Sequence, residues 1–108
     1  MLKFQNKTSL ITGSGTGIGQ AIAKKFVENG ASVIILGRRR EPLDETSKML
    51  ESIIAEKQSG ASVRIFSGVD VSDENAMNKM FEDLKNDNVT VDKNVNNAEV
   101  SGPVTYLT

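Results

Sequence analysis

The sequence predicts a three-layer α/β domain, in which a parallel β-sheet of about four strands is packed between layers formed by three helices. Two observations support this prediction. Short β-rich runs alternate with segments of helical periodicity, in the order β-α-β-α-β-α followed by a weaker candidate strand. The 108 residues are also enough for one small domain with a single core. Strands that alternate with helices imply parallel pairing with right-handed crossovers.

The first predicted strand is residues 8–12, a β-rich run with the sequence TSLIT. After a glycine-rich stretch, Ile18, Ile22 and Phe26 recur every four residues. This spacing is the periodicity of a helix with one buried face. The dipeptide Asn-Gly at positions 29–30 is a stop signal for that helix.

The second strand is predicted at residues 32–36, because the run SVIIL is continuously apolar after its first residue, as in a strand buried on both faces. Pro42 is suited to the start of the second helix. The helix is expected to end near Gly60. Its predicted buried stripe consists of Leu43, Met49, Leu50, Ile53 and Ile54.

The third strand is predicted at residues 62–66, with the sequence SVRIF. Ser72 is the predicted N-cap of the third helix, and Asp73 and Glu74 place negative charge in the first turn, where the helix dipole favours it. A weaker candidate strand lies around residues 91–95. The predicted buried face of the third helix consists of Ala76, Met77, Met80, Phe81 and Leu84.

The composition excludes several classes of function. The net charge of −1 and the pI of about 5.4 give no electrostatic case for binding nucleic acid or an acidic membrane. The chain has no cysteine and no histidine, so it lacks thiolate metal ligands and the commonest general base. No apolar run approaches the roughly 20 residues that span a bilayer, and no signal-peptide core precedes the first strand. A cytoplasmic protein is therefore expected.

Residues 13–19, with the sequence GSGTGIG, are called here the glycine loop. The loop follows a predicted strand and opens a predicted helix, which is the context in which glycines bind phosphate. Glycine permits a tight turn and a close approach of the backbone to a ligand, and the N–H groups of the helix start favour an anion. A P-loop is excluded because no Lys-Ser or Lys-Thr follows the last glycine. A dinucleotide is the expected ligand, and a merely glycine-rich turn is the alternative.

Three motifs in order along the chain resemble those of the short-chain dehydrogenase/reductase family. The pattern Thr-Gly-x-x-x-Gly-Ile-Gly at positions 12–19 matches the cofactor fingerprint of that family. Asp70-Val71 resembles its adenine-contacting pair, and Asn96-Asn97-Ala98 resembles its Asn-Asn-Ala-Gly motif. The expected fold is therefore a truncated Rossmann-like parallel sheet. Residues 1–108 would form a single partial dinucleotide-binding domain that lacks the C-terminal catalytic half.

The resemblance also implies a role for each matched residue. Asp70 and Val71 would contact adenine, and Asn97 and Ala98 would lie near the ribose of the nicotinamide half. A strand end and a polar turn are the alternatives at these two places. The residues implied on the pyrophosphate side of the cofactor are Gly13, Ser14, Gly15, Thr16, Gly17, Ile18 and Gly19.

The end of the second strand favours NADP over NAD. Sites that prefer NAD usually place a carboxylate there to bind the ribose 2′-OH, whereas this chain has Gly37 followed by three arginines. Guanidinium groups can bind a 2′-phosphate in bidentate fashion. Arg38 is the first candidate and Arg39 the second. A solvated basic turn is the alternative, and Thr16 stands where many NADP-preferring family members have a basic residue.

The catalytic residues of the family have no counterpart in the chain. Family members use Tyr-x-x-x-Lys with an upstream serine, but the one tyrosine here, Tyr106, comes only a few residues after Asn-Asn-Ala. No catalytic residue is therefore predicted. Glu99 replaces the glycine of that motif, and Lys93 and Asn94 occupy a strand that is usually aliphatic. This strand is expected to form an exposed edge, through which the chain could self-associate.

Three functional hypotheses follow. The chain is the cofactor-binding part of an NADP-dependent oxidoreductase, which acts on a small-molecule alcohol or carbonyl substrate only as a complete enzyme. Alternatively, it is a stand-alone nucleotide-binding or regulatory module without turnover. The third hypothesis is a remnant that binds nothing, as Glu99 and Lys93 suggest.

Overall fold

A computed structural model describes residues 3–13, 17–96 and 105–107 of the chain. The predicted alternation of strands and helices is confirmed, and a fifth strand follows the fourth. The elements are β1 Thr8–Thr12, α1 Gly17–Glu28, β2 Ser32–Gly37, α2 Arg40–Lys57, β3 Val63–Ser67, α3 Glu74–Asn86, β4 Lys93–Asn96 and β5 Thr105–Leu107.

The sheet has the strand order β3-β2-β1-β4-β5. The first four strands pair in parallel, as predicted, so their carboxyl ends lie along one edge of the sheet, called here the carboxyl end. The strand order reverses at β1, because β2 and β3 lie on one side of β1 and β4 lies on the other. Open α/β sheets bind their ligands at the carboxyl ends of the strands beside such a reversal.

The prediction that β4 forms an exposed edge is wrong. β5 pairs antiparallel with β4, with Val95 opposite Tyr106, and therefore satisfies the outer backbone groups of β4. An antiparallel pair does not need the long crossover connection that a parallel strand requires. Self-association through a sheet edge stays a prediction and does not involve β4.

The core lies on both faces of the sheet, and β2 shows why. Val33 and Ile35 pack on one face with residues of α1 and α2, whereas Ile34 and Leu36 pack on the other face with α3. All four side chains are buried, because the side chains of a strand alternate between its faces. The continuous apolar run thus has the role predicted for it, and the three-layer architecture is confirmed.

The polar residues in β4 are accommodated at partial burial. Lys93 and Asn94 are half-buried, and the next residue, Val95, is fully buried against the face that carries α1 and α2. Just before the strand, the carboxylate of Asp92 accepts a hydrogen bond from the backbone N–H of Thr8 at 2.8 Å. This bond fastens the start of β4 to β1.

The start of α3 differs from the prediction. Asp73, not Ser72, is the N-cap, and its side chain accepts a hydrogen bond from the backbone N–H of Ala76 at 3.2 Å. Ser72 instead donates hydrogen bonds to Asp70. Either residue type can cap a helix, so composition alone cannot choose between neighbours.

Two predicted core positions are exposed. Ile18 is 57% exposed in the first turn of α1, and Phe81 is 38% exposed on α3. Ile22 and Phe26, further along α1, do pack into the core, as the helical periodicity predicts. Among the described residues, no helix is long and apolar enough to cross a membrane.

Candidate functional site at the carboxyl end of the sheet

The described ends of the glycine loop have a backbone conformation that favours glycine. Gly13 has a φ of 64° and Gly17 a φ of 42°, in the left-handed region that L side chains rarely adopt. A Cβ atom added at Gly17 would meet no heavy atom within 4 Å, so open space lies beside the backbone there. A ligand could approach the backbone closely at this point. Ser14, Gly15 and Thr16 lie outside the described residues.

The N-terminus of α1 is suited to an anion. The helix has no acidic residue in its first turn, so no side chain of that turn offsets the positive end of the helix dipole. Gly19 is buried, as expected where a helix packs closely on a strand. Ile18 is exposed beside it and offers an apolar surface at the same end of the helix.

A pocket of about 180 Å³ joins the ends of β1 and β2. It brings Gly13 of the glycine loop together with Arg38 and Arg39, which are the two residues predicted to bind a 2′-phosphate. The remaining lining residues are Leu36, Gly37, Pro42 and Leu43.

A hydrogen-bonded bridge joins α1 to α2, the helix that borders this pocket. The side-chain amide of Gln20 in α1 donates to Thr46 Oγ1 in α2 at 3.0 Å. The hydroxyl of Thr46 donates in turn to the carbonyl of Pro42 at 2.9 Å. Thr46 is fully buried, and the two hydrogen bonds that it makes in the bridge are partly buried. The bridge sets the spacing between the start of α1 and the start of α2.

The structure places an acidic partner beside Arg38 that the sequence did not indicate. Arg38 Nη2 lies 3.0 Å from Asp70 Oδ2, and the two side chains are 75% and 38% exposed. The end of β2 was expected to be free of carboxylates, but Asp70 comes from the loop after β3. The adjacent, parallel arrangement of β2 and β3 is the signal that could have predicted this pair.

Asp70 is itself oriented by Ser72. Its Oδ1 atom accepts hydrogen bonds from the backbone N–H of Ser72 at 2.9 Å and from the hydroxyl of Ser72 at 2.7 Å. These bonds, together with the charge of Arg38, hold the pKa of the Asp70 carboxyl below its ordinary value of 3.8. The carboxylate is therefore ionised at neutral pH.

The other two arginines differ in their surroundings. Arg40 Nε forms an ion pair with Asp44 Oδ1 at 2.8 Å, one turn along α2, and does not line the pocket. Arg39 lines the pocket, and no ion pair joins it to any residue in the described part of the chain. Arg39 is thus the less constrained cation at the site.

The remaining predicted site residues have separate places. Val71 is half-buried and packs against the core cluster on the α3 side, so packing accounts for part of its role. Asn97 and Ala98 lie outside the described residues, as does Glu99. Thr12, the first residue of the fingerprint, was not predicted to make a contact. Its hydroxyl donates to the carbonyl of Val95 at 3.4 Å and ties β1 to the strand that leads to Asn97.

Among the described residues, two cavities of larger volume lie away from this end. One of about 380 Å³ is lined by residues at the amino ends of the strands, including Thr8, Ser32 and Arg64. Another of about 640 Å³ lies beside the end of α3, around Phe81 and Val89. Size alone would favour these cavities. Gly13 of the glycine loop and the two candidate arginines meet at the smaller pocket, so we assign the candidate site there.

Metal binding finds no support in the described residues. Nowhere in ranges 3–13, 17–96 and 105–107 do three acidic, cysteine or histidine side chains form a group that could hold a metal ion. The described part of the site offers backbone N–H groups and guanidinium groups, which are suited to an anion.

Comparisons with known proteins agree with the fold. The family model for short chain dehydrogenases matches residues 7–107. An uncharacterized oxidoreductase of Bacillus subtilis, YvaG, is 38% identical over 106 residues, covering 98% of this chain and 37% of the relative. An NADP-dependent (R)-specific alcohol dehydrogenase of Lentilactobacillus kefiri is 34% identical over 99 residues, covering 92% and 36%.

A solved structure has the same fold. L-sorbose reductase from Gluconobacter frateurii, crystallised with NADPH and L-sorbose, superposes with a TM-score of 0.77 at 29% identity, covering 94% of this chain and 36% of the reductase. The chain thus spans little more than a third of the length of these proteins. On the strength of the family match and the shared sheet, the chain belongs to the short-chain dehydrogenase family.

Proposed function

We propose that this chain is the cofactor-binding part of an NADP-dependent oxidoreductase, which interconverts alcohol and carbonyl groups of a small-molecule substrate. The observation that carries the proposal is the convergence of Gly13, Arg38 and Arg39 on one pocket at the carboxyl end of the sheet. The conformation of the described glycines fits a dinucleotide phosphate, because Gly17 leaves open space beside its backbone.

In this proposal the residues of the chain bind and orient the cofactor. The glycine loop, which comprises Gly13, Ser14, Gly15, Thr16, Gly17, Ile18 and Gly19, holds the pyrophosphate. Asp70 and Val71 border the adenine, and Asn97 and Ala98 border the ribose of the nicotinamide half. When bound, the nicotinamide supplies or accepts the hydride of the reaction.

The choice of NADP over NAD rests on the arginines and is supported by two relatives. Arg38 and Arg39 both line the pocket and carry a charge that complements a 2′-phosphate. NADPH is present in the L-sorbose reductase crystal, and the Lentilactobacillus kefiri relative is NADP-dependent. NAD is the less favoured cofactor, because no carboxylate stands at the end of β2 itself.

A non-catalytic nucleotide-binding module is the second candidate. One observation favours it: the single tyrosine of the chain, Tyr106, lies in β5, and the 108 residues contain no Tyr-x-x-x-Lys pair. A carbonyl reduction needs a positioned proton donor, and no residue of this sequence stands in the family's Tyr-x-x-x-Lys motif. We therefore expect no NADPH oxidation above background when the purified chain is mixed with carbonyl substrates. Steady oxidation that Gly17→Asp abolishes and Tyr106→Phe leaves unchanged would contradict this expectation.

Calorimetric titration of the chain with NADPH and with NADH tests the proposal. NADPH is expected to bind more tightly, and Arg38→Ala should reduce the difference. A charged hydrogen bond of about 1.5–3 kcal/mol corresponds to about 10- to 150-fold in affinity. Arg40→Ala is the matched control, because Arg40 is paired with Asp44 and does not line the pocket. Equal affinity for the two cofactors, or an equal effect of Arg40→Ala, would overturn the assignment to NADP.

A further inference from the structure

We propose that Asp70 is a positioning residue, which holds the guanidinium group of Arg38 beside the pocket and thereby strengthens the preference for NADP(H) over NAD(H). The inference rests on the proposed function, since it concerns the same pocket. It differs from the adenine contact that the family resemblance implies for Asp70, because it acts through another side chain and on the 2′-phosphate alone.

The geometry links three residues in series. Ser72 donates two hydrogen bonds to Asp70 Oδ1, through its backbone N–H at 2.9 Å and its hydroxyl at 2.7 Å. The other oxygen, Oδ2, is 3.0 Å from Arg38 Nη2. Each oxygen of the carboxylate thus has its own partner, and the bonds to Ser72 set the direction in which the second oxygen faces Arg38.

The ion pair does not withdraw Arg38 from the site. Arg38 still lines the 180 Å³ pocket while it is paired, and Asp70 does not line that pocket. A guanidinium group carries five N–H donors, and the contact with Asp70 involves one nitrogen. The remaining donors can bind a phosphate, and the 75% exposure of the Arg38 side chain leaves them accessible.

The benefit of the pair is conformational. An exposed arginine on a flexible stem occupies many rotamers, and binding a phosphate would restrict it to a few. Asp70 restricts Arg38 before a ligand arrives, so less freedom is lost on binding. Arg39, which has no ion pair among the described residues, lacks this restriction.

The charge of Asp70 also acts in the opposite direction, because a carboxylate repels a phosphate. Both side chains of the pair are exposed enough for water and salt to screen that repulsion. Orientation of Arg38 is a local steric and hydrogen-bonding effect that salt weakens less. We therefore expect the positioning effect to exceed the repulsion at physiological ionic strength.

The test compares Asp70→Asn with the unchanged chain by calorimetric titration. NADPH affinity should fall by about two- to fivefold more than NADH affinity, the range for an exposed charge pair, because any loss at the adenine is common to both cofactors. Ser72→Ala should have a smaller effect in the same direction, and Asp70→Glu should restore part of the preference. Glu74→Gln is the matched control, because it removes a nearby negative charge that forms no ion pair in the described part of the chain.

A double-mutant cycle separates this inference from the proposed function. In an Arg38→Ala background, Asp70→Asn should have no further effect on the NADPH-to-NADH affinity ratio. A cofactor-free readout is NMR relaxation at Arg38 Nε, which should show a more mobile side chain in Asp70→Asn than in the unchanged chain.

The outcomes are distinguishable. If Arg38→Ala lowers the NADPH preference but Asp70→Asn does not, the proposed function stands and this inference is overturned. Tighter NADPH binding in Asp70→Asn, an equal loss for both cofactors, or an unchanged mobility of the Arg38 side chain would overturn it as well. If the chain binds neither cofactor, the inference and the proposed function are both overturned.

Discussion

Replacing Gly17 with alanine tests how the glycine loop is built. The φ of 42° at Gly17 lies in the left-handed region, which costs a non-glycine residue about 1–2 kcal/mol. Alanine also restricts the unfolded chain more than glycine does, which offsets about 0.4–1 kcal/mol of that cost. The added Cβ has no heavy atom within 4 Å, so no steric term is added. The expected net destabilisation by Gly17→Ala is therefore about 1 kcal/mol, which lowers the melting temperature by about 5 °C.

Two other glycines provide matched controls for this experiment. Gly60 has a φ of 76° and equally open surroundings, so Gly60→Ala should be destabilised by a similar amount. Gly37 has no left-handed φ, and its added Cβ would make an ordinary contact with the Leu43 side chain at 3.7 Å. Gly37→Ala should therefore be neutral or slightly stabilised. Thermal unfolding followed by circular dichroism, without cofactor, measures all three changes.

The same variants distinguish strain from ligand contact. The methyl group of Gly17→Ala would occupy space that the proposed phosphate approaches, so NADPH affinity should fall at least about fivefold. Gly60→Ala, which precedes β3 at the opposite end of the sheet, should bind NADPH normally. The reasoning is refuted if Gly17→Ala is as stable as the unchanged chain, or if Gly60→Ala weakens binding equally.

Three further predictions concern the surroundings of the site. Thr46→Val should destabilise the chain by about 0.5–1.5 kcal/mol in chemical denaturation, because it removes the hydroxyl that accepts from the partly buried Gln20 amide and donates to the Pro42 carbonyl; unchanged stability would contradict the bridge. Asp73→Ala should cost about 1 kcal/mol through loss of the α3 cap, whereas Ser72→Ala should cost clearly less; the reverse order would contradict the assignment of the cap. The carboxyl group of Asp70 should titrate below pH 3.8 by NMR, and Ser72→Ala should raise its pKa. Because folding lowers the pKa of Asp70, its ionised carboxylate stabilises the fold above the unfolded pKa, and this stabilisation is lost as the pH falls through the folded pKa. A measured pKa at or above 3.8 for Asp70 would contradict the prediction.

The fold could be predicted where local pattern and tertiary structure agree. The run in β2 is apolar on both faces, and the structure covers both faces with helices. β5 could not be predicted, because a strand of three residues has little pattern of its own and depends on pairing with β4. Ile18 fits the helical periodicity of α1 but remains exposed, because periodicity does not show where the sheet beneath a helix ends.

The residues of the candidate site could be proposed from the sequence, but the contacts between their side chains could not. The glycine loop and the arginines follow from local motifs, and the pocket joins them as the order of strands requires. The ion pair between Arg38 and Asp70 joins residues from two loops that are distant in sequence, so only the adjacency of β2 and β3 brings them together. The roles of all the predicted cofactor-binding residues stay predictions, and Ser14, Gly15, Thr16, Asn97 and Ala98 also lie outside the described residues.

The central claim is that a dinucleotide binds at the carboxyl end of this sheet, and NMR titration of the chain with NADPH tests it most directly. The account predicts that backbone amide shifts change at Gly13, Gly17, Gly37 and Arg38, the residues of the glycine loop and the 180 Å³ pocket. The larger cavity at the amino ends of the strands serves as an internal control, and amides such as Ser62 should not respond. Shift changes confined to that cavity, or no changes at saturating NADPH, would contradict the account.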